Sequence, residues 1–259
     1  MILADLARVV VGYSGGVDST YLALIATKVL GVDNVSAVIA DSPSLSREEL
    51  VTATQVAQNL GLQFQVVRTT EFNDGRYLQN DSMRCSYCKS ALMDSLLPIA
   101  KAKRATVVLG VNLSDQGDYR PGQQFAASKG ARFPLLEAGI TKDMIRLHSK
   151  KLGVPNHDKP ASPCLSSRVP YGTAISINLL SRIEKAERFL HQLGFLDVRV
   201  RDYDSVARIE VDQESMQELI VANGAIDEYF KKLGYRYVTL DLAGLVSGNL
   251  NSVLHEASA

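Results

Sequence analysis

Three cysteines are the side chains of this sequence best suited to covalent or metal chemistry. Cys85 and Cys88 form a C-x-x-C pair, and Cys164 lies far downstream. Such a pair is typical of a redox dithiol, of half a zinc site or of part of an iron–sulfur site. A closed zinc site would need His148 or His157 as its fourth ligand. Three thiolates without a fourth cysteine favour a [4Fe–4S] cluster with one open iron, and three unrelated buried thiols are the remaining interpretation.

A turn rich in serine and glycine near the start of the chain could bind an anion. The apolar run Val9–Val11 leads into Ser-Gly-Gly-Val-Asp-Ser at residues 14–19, where helical spacing begins. Adjacent glycines permit backbone conformations that a Cβ would forbid, and N–H groups at the start of a helix attract anions. The two serines add hydroxyl donors, and Asp18 could position a divalent cation such as Mg²⁺. An ordinary tight turn is the alternative.

The sequence of this turn indicates that the anion it binds is a nucleotide. The Walker A pattern is absent from the turn. S-G-G-x-D-S instead resembles the pyrophosphate loop, or PP-loop, of enzymes that split ATP between its α- and β-phosphates. That resemblance implies an adenine nucleotide alpha-hydrolase-like fold.

Apolar runs alternate with helical patterns over the first part of the chain, which predicts an α/β fold. Predicted strands, each almost continuously apolar, are Val9–Val11, Val35–Ala40, Phe64–Val67 and Val107–Val111. A capping box at Ser46–Glu49 begins one helix, and Pro98 is predicted to kink or end another. Continuous apolar strands predict a parallel sheet with helices on both faces. Because ligands bind at the carboxyl ends of such strands, we expect residues 14–19, Asp41-Ser42 and Asn112–Asp115 to form one nucleotide pocket.

A second, smaller domain is predicted at the carboxyl end. Apolar residues alternate with arginines in Val198–Arg201, and the alternation resumes after Asp204-Ser205. Strict alternation predicts half-buried antiparallel strands, and Tyr237–Leu242 is a predicted last strand. We therefore expect a PP-loop domain over residues 1–173 and a small α+β domain for substrate binding or oligomerisation over residues 174–259.

Charged side chains of this second domain allow two interpretations. Arg199 and Arg201 share one strand face, which is either a solvated face balanced by Glu210 or a fork for a substrate phosphate or carboxylate. Glu187 and Glu218 lie on predicted helices and could hold a metal or face water. In the first domain, the charged run containing Asp115, Asp118 and Arg120 is equally compatible with binding and with a solvated loop.

Composition limits the partners and the compartment. The sequence has 28 Lys and Arg residues and 28 Asp and Glu residues, so no net charge attracts nucleic acid or an anionic membrane. We find no pattern of a signal peptide and no apolar run of membrane-spanning length, so we expect a cytoplasmic protein. Three cysteines in that compartment favour metal or catalytic use over disulfides.

Several segments together resemble the LarE family. They are residues 14–19, Arg84–Lys89, Asp118–Gly122, Pro134–Glu137 with Thr141-Lys142, and Lys159–Arg168 followed by Pro170–Gly172. That family makes the sulfur-bearing nickel-pincer nucleotide cofactor of lactate racemase, and the resemblance covers nearly the whole chain. It implies that ATP adenylylates a carboxylate of pyridinium-3,5-biscarboxylic acid mononucleotide and releases pyrophosphate. Sulfur then displaces AMP to give a thiocarboxylate.

The resemblance also implies the site residues. Members with one cysteine, matching Cys164, lose its sulfur and keep dehydroalanine, whereas members with three cysteines resemble transferases that hold a [4Fe–4S] cluster. Since this sequence has all three, we favour the cluster route, together with a homohexamer and an unidentified sulfur donor. The expected residues are Ser14, Gly15, Gly16, Asp18, Ser19, Ala40 and Ser46 for ATP; Arg168, Arg199 and Arg201 for substrate; and Cys85, Cys88 and Cys164 for catalysis and the cluster, with Asp18 also catalytic.

Two other functions remain compatible with the same motifs. A PP-loop tRNA thiolase with a three-cysteine cluster should carry a basic surface and often further zinc-binding cysteines. A non-catalytic ATP-binding module that carries sulfur to a partner would not need both the Ser-Gly-Gly turn and an ordered set of thiols.

Overall fold

The computed structural model describes residues 2–115, 121–160, 162–246 and 249–251, which divide into two compact units. The first unit comprises Met83–Ser162 and the residues up to Asp74. The second comprises Gly75–Ser82 and the residues from Pro163 onward. A short segment of the second unit therefore interrupts the first just before the C-x-x-C pair. The domain boundary expected after residue 173 stays a prediction.

A wholly parallel sheet forms the centre of the first unit. Its strands are β1 (Val9–Tyr13), β2 (Val35–Asp41), β3 (Phe64–Arg68) and β4 (Thr106–Leu109), in the order β3-β2-β1-β4. The central strands are almost fully buried because nearly every residue in them is apolar. This confirms the predicted α/β fold.

At least one helix follows each strand of the parallel sheet. In chain order the helices are α1 (Val17–Leu30), α2 (Arg47–Asn59), α3 (Gly75–Leu78), α4 (Arg84–Lys103), α5 (Pro121–Ser128), α6 (Pro134–Glu137), α7 (Lys142–Lys151), α8 (Ile177–Gln192), α9 (Met216–Val221) and α10 (Asn223–Lys232). The hydroxyl of Ser46 accepts the N–H of Glu49, as the capping box predicts. Within the described ranges, no helix combines the length and the apolar character that crossing a membrane requires.

The helix α4 does not end at Pro98, contrary to one of the two predicted outcomes. It continues to Lys103, with Met93 and Leu96 buried against the sheet. Pro98 itself lies on the exposed side of the helix. The carbonyl that loses its donor there can bind water, so burial of the opposite face keeps the helix intact.

Two apolar clusters cover the two faces of the parallel sheet. Val9, Val11 and Tyr13 contribute to the cluster formed with α1, α2 and α7. Val10, between them in sequence, contributes to the cluster formed with α4 and α5. Alternate residues of one strand therefore anchor opposite layers of helices, which positions the strand ends rigidly.

The second unit is built on a mixed sheet. Its strands are β5 (Val198–Tyr203), β6 (Val206–Val211) and β7 (Tyr237–Leu240). β5 and β6 are antiparallel and joined at Asp204-Ser205, as predicted, whereas β6 and β7 are parallel. Side chains of α8 and α10, including Leu190 and Phe230, complete the core of this unit.

A buried polar group ties this sheet to α8. The carboxylate of Asp202 is fully buried and accepts hydrogen bonds from Tyr235 Oη at 2.7 Å and from Arg182 Nε and Nη2 at 2.9 and 2.8 Å. The Arg182 guanidinium also lies 4.5 Å from the centre of the Tyr235 ring. Burial, and then the Asp202 carboxylate, raise the pKa of Tyr235 above its usual value.

Replacement of this phenol tests the buried group. We expect Tyr235→Phe to lower the free energy of unfolding at pH 7 by about 1.5–3 kcal/mol, because a hydrogen bond to a buried charge is lost. A raised pKa stabilises the fold below the pKa of the unfolded tyrosine, about 10, and that contribution is lost as pH rises further. Urea unfolding between pH 7 and 11 should therefore show the difference shrinking above pH 10. Tyr237→Phe, in an exposed side chain, is the control; a constant difference would contradict the expectation.

Candidate functional site

The turn between β1 and α1 requires glycine for two separate reasons. Gly15 has a φ of +72°, a conformation that side chains with a Cβ rarely adopt. A Cβ at Gly15 would also lie 2.5 Å from the Cβ of Ala53, so α2 approaches the turn as closely as it can. The chain can therefore leave β1 and enter α1 within three residues only with glycine at this position.

The serines of the turn bond to one another and to its backbone. Ser19 Oγ accepts the N–H of Ser14 at 3.1 Å and donates to the carbonyl of Gly16 at 3.1 Å. Ser14 Oγ lies 3.1 Å from Ser19 Oγ. These contacts make the turn compact, and both serines line the cleft described below.

The first turn of α1 has no side-chain cap. Gly16 stands at its N-cap position without a hydrogen-bonding side chain, whereas Ser46, Thr141 and Ser176 cap α2, α7 and α8. Because the first N–H groups of a helix have no partner within the helix, those of α1 are available to a ligand at the positive end of the helix dipole. This is the arrangement that binds a phosphate group.

A cleft of about 450 Å³ opens at the carboxyl ends of the parallel strands. Its volume is in the range of small-molecule sites. The residues that line it are Gly12, Tyr13, Ser14, Gly16, Asp18, Ser19, Val38, Ile39, Ala40, Leu45, Lys89, Leu92, Leu109, Gly110, Val111, Asp115 and Lys142. The predicted ATP residues Ser14, Gly16, Asp18, Ser19 and Ala40 thus share one cleft.

Other residues expected at this edge have different surroundings. Gly15 supports the turn against α2, and Ser46 caps α2. Asp41 forms an ion pair with Arg47 at 2.7 Å. Ser42 donates to the buried carboxylate of Glu71. Neither Asp41 nor Ser42 is among the residues that line the cleft.

The charged run after Asn112 lies only partly within the described residues. Asp115 lines the cleft and accepts the N–H of Asn112 at 3.1 Å. Asp118 and Arg120, part of the same expectation, lie outside the described residues.

A lysine and an aspartate meet at the wall of the cleft. Lys142 Nζ lies 2.6 Å from Asp18 Oδ2, while Asp18 Oδ1 is buried without a hydrogen-bond partner in the described structure. Lys142 begins α7, where its N–H bonds Ser114 Oγ at 3.1 Å. Lys89 of α4 adds a second cation to the lining. The cleft therefore carries two ammonium groups beside two carboxylates, and one carboxylate oxygen, Asp18 Oδ1, is unsatisfied.

Sequence reasoning did not single out three residues of this site. A Cβ on Gly110 would lie 2.9 Å from the N of Ser19, so β4 ends directly against α1; a glycine closing an apolar run could have indicated this. Lys142 appeared only within a motif. Asn156 Nδ2 donates to the carbonyl of Gly15 at 2.7 Å across 141 residues of sequence, and no local signal marks such a contact.

The C-x-x-C pair lies in the first two turns of α4, in the first unit. Cys85 is exposed and Cys88 partly exposed, and residues three apart share one side of a helix. Cys164 belongs to the second unit, and all three cysteines are thiols. Among the described residues, no group of three or more His, Cys, Asp or Glu side chains is placed to hold a metal ion.

The histidines considered as zinc ligands already have partners. His148 Nδ1 lies 3.1 Å from Tyr21 Oη, and His157 Nδ1 lies 3.1 Å from the carbonyl of Val154. Neither contact supports a closed zinc site.

Buried contacts of the second unit hold the segment that carries Cys164. The thiol is exposed and directly precedes a 3₁₀ turn, Leu165–Arg168. Arg168 Nε and Nη2 donate to the two carboxylate oxygens of Glu187 at 2.9 and 3.2 Å, and Nη1 donates to the carbonyl of Pro163 at 2.7 Å. The thiol therefore stands at the surface on a firmly held turn.

The same turn is attached to α3 and the residues after it. Tyr77 Oη lies 2.8 Å from Ser166 Oγ, and both residues are buried. Asn80, fully buried with a φ of +58°, donates through Nδ2 to the carbonyls of Pro170 and Thr173 at 2.8 and 3.0 Å. These contacts explain why residues 75–82 belong to the second unit.

The predicted substrate arginines differ in their contacts. Arg201 is buried and donates to Glu210 Oε2 and to the carbonyl of Ser167, both at 2.7 Å. Arg199 is half-buried and, in the described part of the chain, has no ion pair. Burial, and then the charges of Arg168 and Arg201, lower the pKa of Arg199. An anion bound at Arg199 would relieve that repulsion.

The sequence left open whether Glu187 and Glu218 hold a metal or face water. Their surroundings in the structure differ. Glu187 is buried, bound to Arg168, and accepts the N–H of Val200 at 2.9 Å. Glu218, on α9, is exposed. A metal-binding role for either stays a prediction.

Comparison with known proteins decides the family. The NAD synthase family profile matches residues 3–111, which carry the Ser-Gly-Gly turn and the parallel strands. The chain is 38% identical over 256 residues to pyridinium-3,5-bisthiocarboxylic acid mononucleotide synthase of Lactiplantibacillus plantarum, over 98% of this chain and 93% of that protein. The chain belongs to the LarE family. The predicted PP-loop fold and the LarE resemblance are thereby confirmed.

Two further relatives are informative. An uncharacterized protein of Synechocystis sp. is 46% identical over 96% of this chain and 94% of its own length. An NH₃-dependent NAD⁺ synthetase of Helicobacter hepaticus is 30% identical over 57% of this LarE-family chain and 59% of its own length.

Two glycines with positive φ, Gly15 before α1 and Gly61 after α2, separate the two requirements on Gly15. Gly15→Ala combines backbone strain, about 1–2 kcal/mol, with overpacking against Ala53, about 1–3 kcal/mol. Gly61→Ala adds a Cβ where φ is +63° and nothing lies within 4 Å of it. We expect Gly15→Ala to lower the free energy of unfolding, measured in urea, more than Gly61→Ala does. Only Gly15→Ala should lower the affinity for ATP, measured by calorimetry. Equal effects of the two substitutions would show that the close approach of α2 is unimportant.

Proposed function

We propose that this chain uses ATP to adenylylate a carboxylate of pyridinium-3,5-biscarboxylic acid mononucleotide, releases pyrophosphate, and replaces AMP by sulfur to form a thiocarboxylate. Its class is that of its family, an ATP-dependent sulfurtransferase. The observation that carries the proposal is the identity over nearly the full chain with a synthase whose name gives the bisthiocarboxylic acid mononucleotide as product.

The cleft of the first unit supplies the activating half of this reaction. A carboxylate is a poor acyl donor, and the acyl-adenylate gives it AMP as a leaving group. The uncapped N–H groups of α1 and the ammonium of Lys142 would stabilise the charge on departing pyrophosphate. The orphaned Oδ1 of Asp18 suits Mg²⁺, which binds oxygen ligands and neutralises phosphate charge. Asp18 is thus the proposed magnesium ligand.

The thiols supply the sulfur-donating half. In the sacrificial route, Cys164 Sγ attacks the acyl carbon and AMP leaves with the electrons of the broken C–O bond. Loss of the Cα proton of Cys164 and cleavage of its Cβ–S bond then leave a thiocarboxylate and dehydroalanine. The exposed position of Cys164 on a held turn supports access to an acyl-adenylate.

The cluster route is the alternative that the number of thiols favours. Cys85, Cys88 and Cys164 would hold a [4Fe–4S] cluster, which would supply a sulfide from its open iron. The pair at the start of α4 fits two such ligands, since the side chains share one side of the helix and are exposed at least in part. The third ligand is proposed from the sequence alone.

The arginines of the second unit are the proposed substrate-binding group. Arg168 and Arg201 already bind Glu187 and Glu210, so we assign the direct contact with a substrate phosphate or carboxylate to Arg199. Burial, and then the charges of Arg168 and Arg201, lower the pKa of Arg199, and a bound anion would offset both effects, which supports this assignment.

The rival functions make different demands. A tRNA thiolase would need a basic surface, whereas lysines and arginines here equal aspartates and glutamates. A sulfur-carrier module would bind ATP without splitting it. Assembly as a homohexamer and a separate sulfur donor are further parts of the proposal.

A turnover assay tests the whole proposal. Purified protein incubated with ATP, Mg²⁺ and the biscarboxylate nucleotide should form AMP and pyrophosphate in equal amounts, together with a thiolated nucleotide detected by mass spectrometry. ATP should not be split when the nucleotide is omitted, because the carboxylate that accepts the adenylyl group is then absent. Thiolation of tRNA in the same assay, or intact ATP with every substrate, would refute the proposal.

Variants of the cysteines separate the two sulfur routes. Anaerobic reconstitution with iron and sulfide should give a brown protein, and Cys85→Ala should abolish the colour, because two ligands do not hold a [4Fe–4S] cluster. Ser95→Ala, on the same helix, is the matched control. A colourless wild-type protein that loses one sulfur from Cys164 in a single turnover, by mass spectrometry, would instead establish the sacrificial route.

A further inference from the structure

The carbonyl groups of the Ser-Gly-Gly turn are held by donors of different origin. The carbonyl of Gly16 accepts the N–H of Thr20 at 3.0 Å and its hydroxyl at 2.8 Å, and so bonds within the first turn of α1. The carbonyl of Gly15 accepts from Asn156 Nδ2 at 2.7 Å. One carbonyl of the turn is therefore held from the far end of the first unit's sequence.

The peptide between Gly15 and Gly16 would otherwise turn over easily. Its planar trans geometry makes the C=O of Gly15 and the N–H of Gly16 point in opposite directions. Glycine on both sides removes the Cβ contacts that normally restrict rotation of such a plane. The N–H of Gly16 donates to Ser14 Oγ at 3.3 Å, and both residues line the cleft, so turning the plane over would break this bond and put a carbonyl oxygen where the N–H was. That exchange would repel a polyphosphate.

Asn156 is placed to prevent this rotation. It is buried, and the same Nδ2 lies 3.2 Å from Thr20 Oγ1, so it contacts both the turn and α1. Its Oδ1 is buried and, among described atoms, has no hydrogen-bond partner. An unsatisfied amide oxygen costs stability, so the amide group at this position is better explained by its contact with the turn than by stability.

The segment around Asn156 is itself fixed. The N–H of His157 bonds the carbonyl of Val154 at 3.3 Å. Three residues after Asn156, Lys159 Nζ forms an ion pair with Glu49 Oε2 of α2 at 2.6 Å. α2 is also the helix that abuts Gly15. The donor and the turn that it holds are therefore braced against the same helix.

We propose that Asn156 is a positioning residue that locks the Gly15–Gly16 peptide with its N–H toward the cleft, the orientation that binds the polyphosphate of ATP and the departing pyrophosphate. The proposal rests on the use of ATP in the proposed function and assigns a residue to the pyrophosphate end of that site. Asn156 need not touch the nucleotide, since it acts through the backbone of Gly15.

Affinities for pyrophosphate, ATP and adenosine test this role. Asn156→Leu keeps approximately the volume of the side chain without its donor, and Asn156→Asp keeps the shape without the amide. For both variants we expect the affinity for pyrophosphate and Mg-ATP to fall about tenfold, the effect of losing a hydrogen bond that orients a binding group. Adenosine, which has no phosphate, should bind within about twofold of wild type. Calorimetry measures all three, and His157→Ala, in the adjacent residue, should match wild type.

Each outcome decides the proposal. Wild-type pyrophosphate affinity in either folded variant would overturn it, and so would a parallel loss of adenosine binding, which would indicate general damage. If Asn156→Leu does not fold, Asn156→Asp carries the test. These measurements do not require sulfur transfer, so a protein that forms no thiocarboxylate could still show the selective loss. Failure of the proposed function and failure of this inference are thus distinguishable.

Discussion

The Ser-Gly-Gly turn is the constraint on which the candidate nucleotide site depends. β1 ends at Tyr13 and α1 begins at Val17, so three residues reverse the chain between a buried strand and a buried helix. Only glycine meets the backbone conformation and the approach of α2 at Gly15. The direction of the α1 amides, and the positions of Asp18 and Ser19, follow from that reversal.

The proposed anion sites of the two units rest on different physical means. In the first, backbone amides and lysines surround a cleft, so the binding groups are part of the main chain and need little side-chain ordering. In the second, arginines are buried beside Glu187 and Glu210, and their mutual repulsion is offset by those carboxylates. The first arrangement suits a leaving group that must depart. The second suits a fixed anionic group of a substrate that must stay.

Sequence periodicity predicted the parts of this protein whose causes are local. The strands of the parallel sheet, the cap at Ser46 and the tight turn near Asp204 each depend on neighbouring residues, and the structure has all of them, although the edge strand β3 is largely exposed. The bond from Asn156 to Gly15 and the pairing of Arg168 with Glu187 depend on chain folding, so no local pattern could predict them. Pro98 shows the converse, because burial of the opposite helix face outweighs a strong local signal.

The interruption of the first unit by residues 75–82 affects how the protein is made. Tyr77 and Ser166 are 89 residues apart in sequence, yet they are bonded in the core of one unit. At roughly 5–20 residues per second, a ribosome takes about 4–18 s to add the second partner after the first. During that interval Tyr77 and Asn80 lack their contacts with Ser166, Pro170 and Thr173, which have not yet been synthesised. The second unit can therefore close only after most of the first has been synthesised.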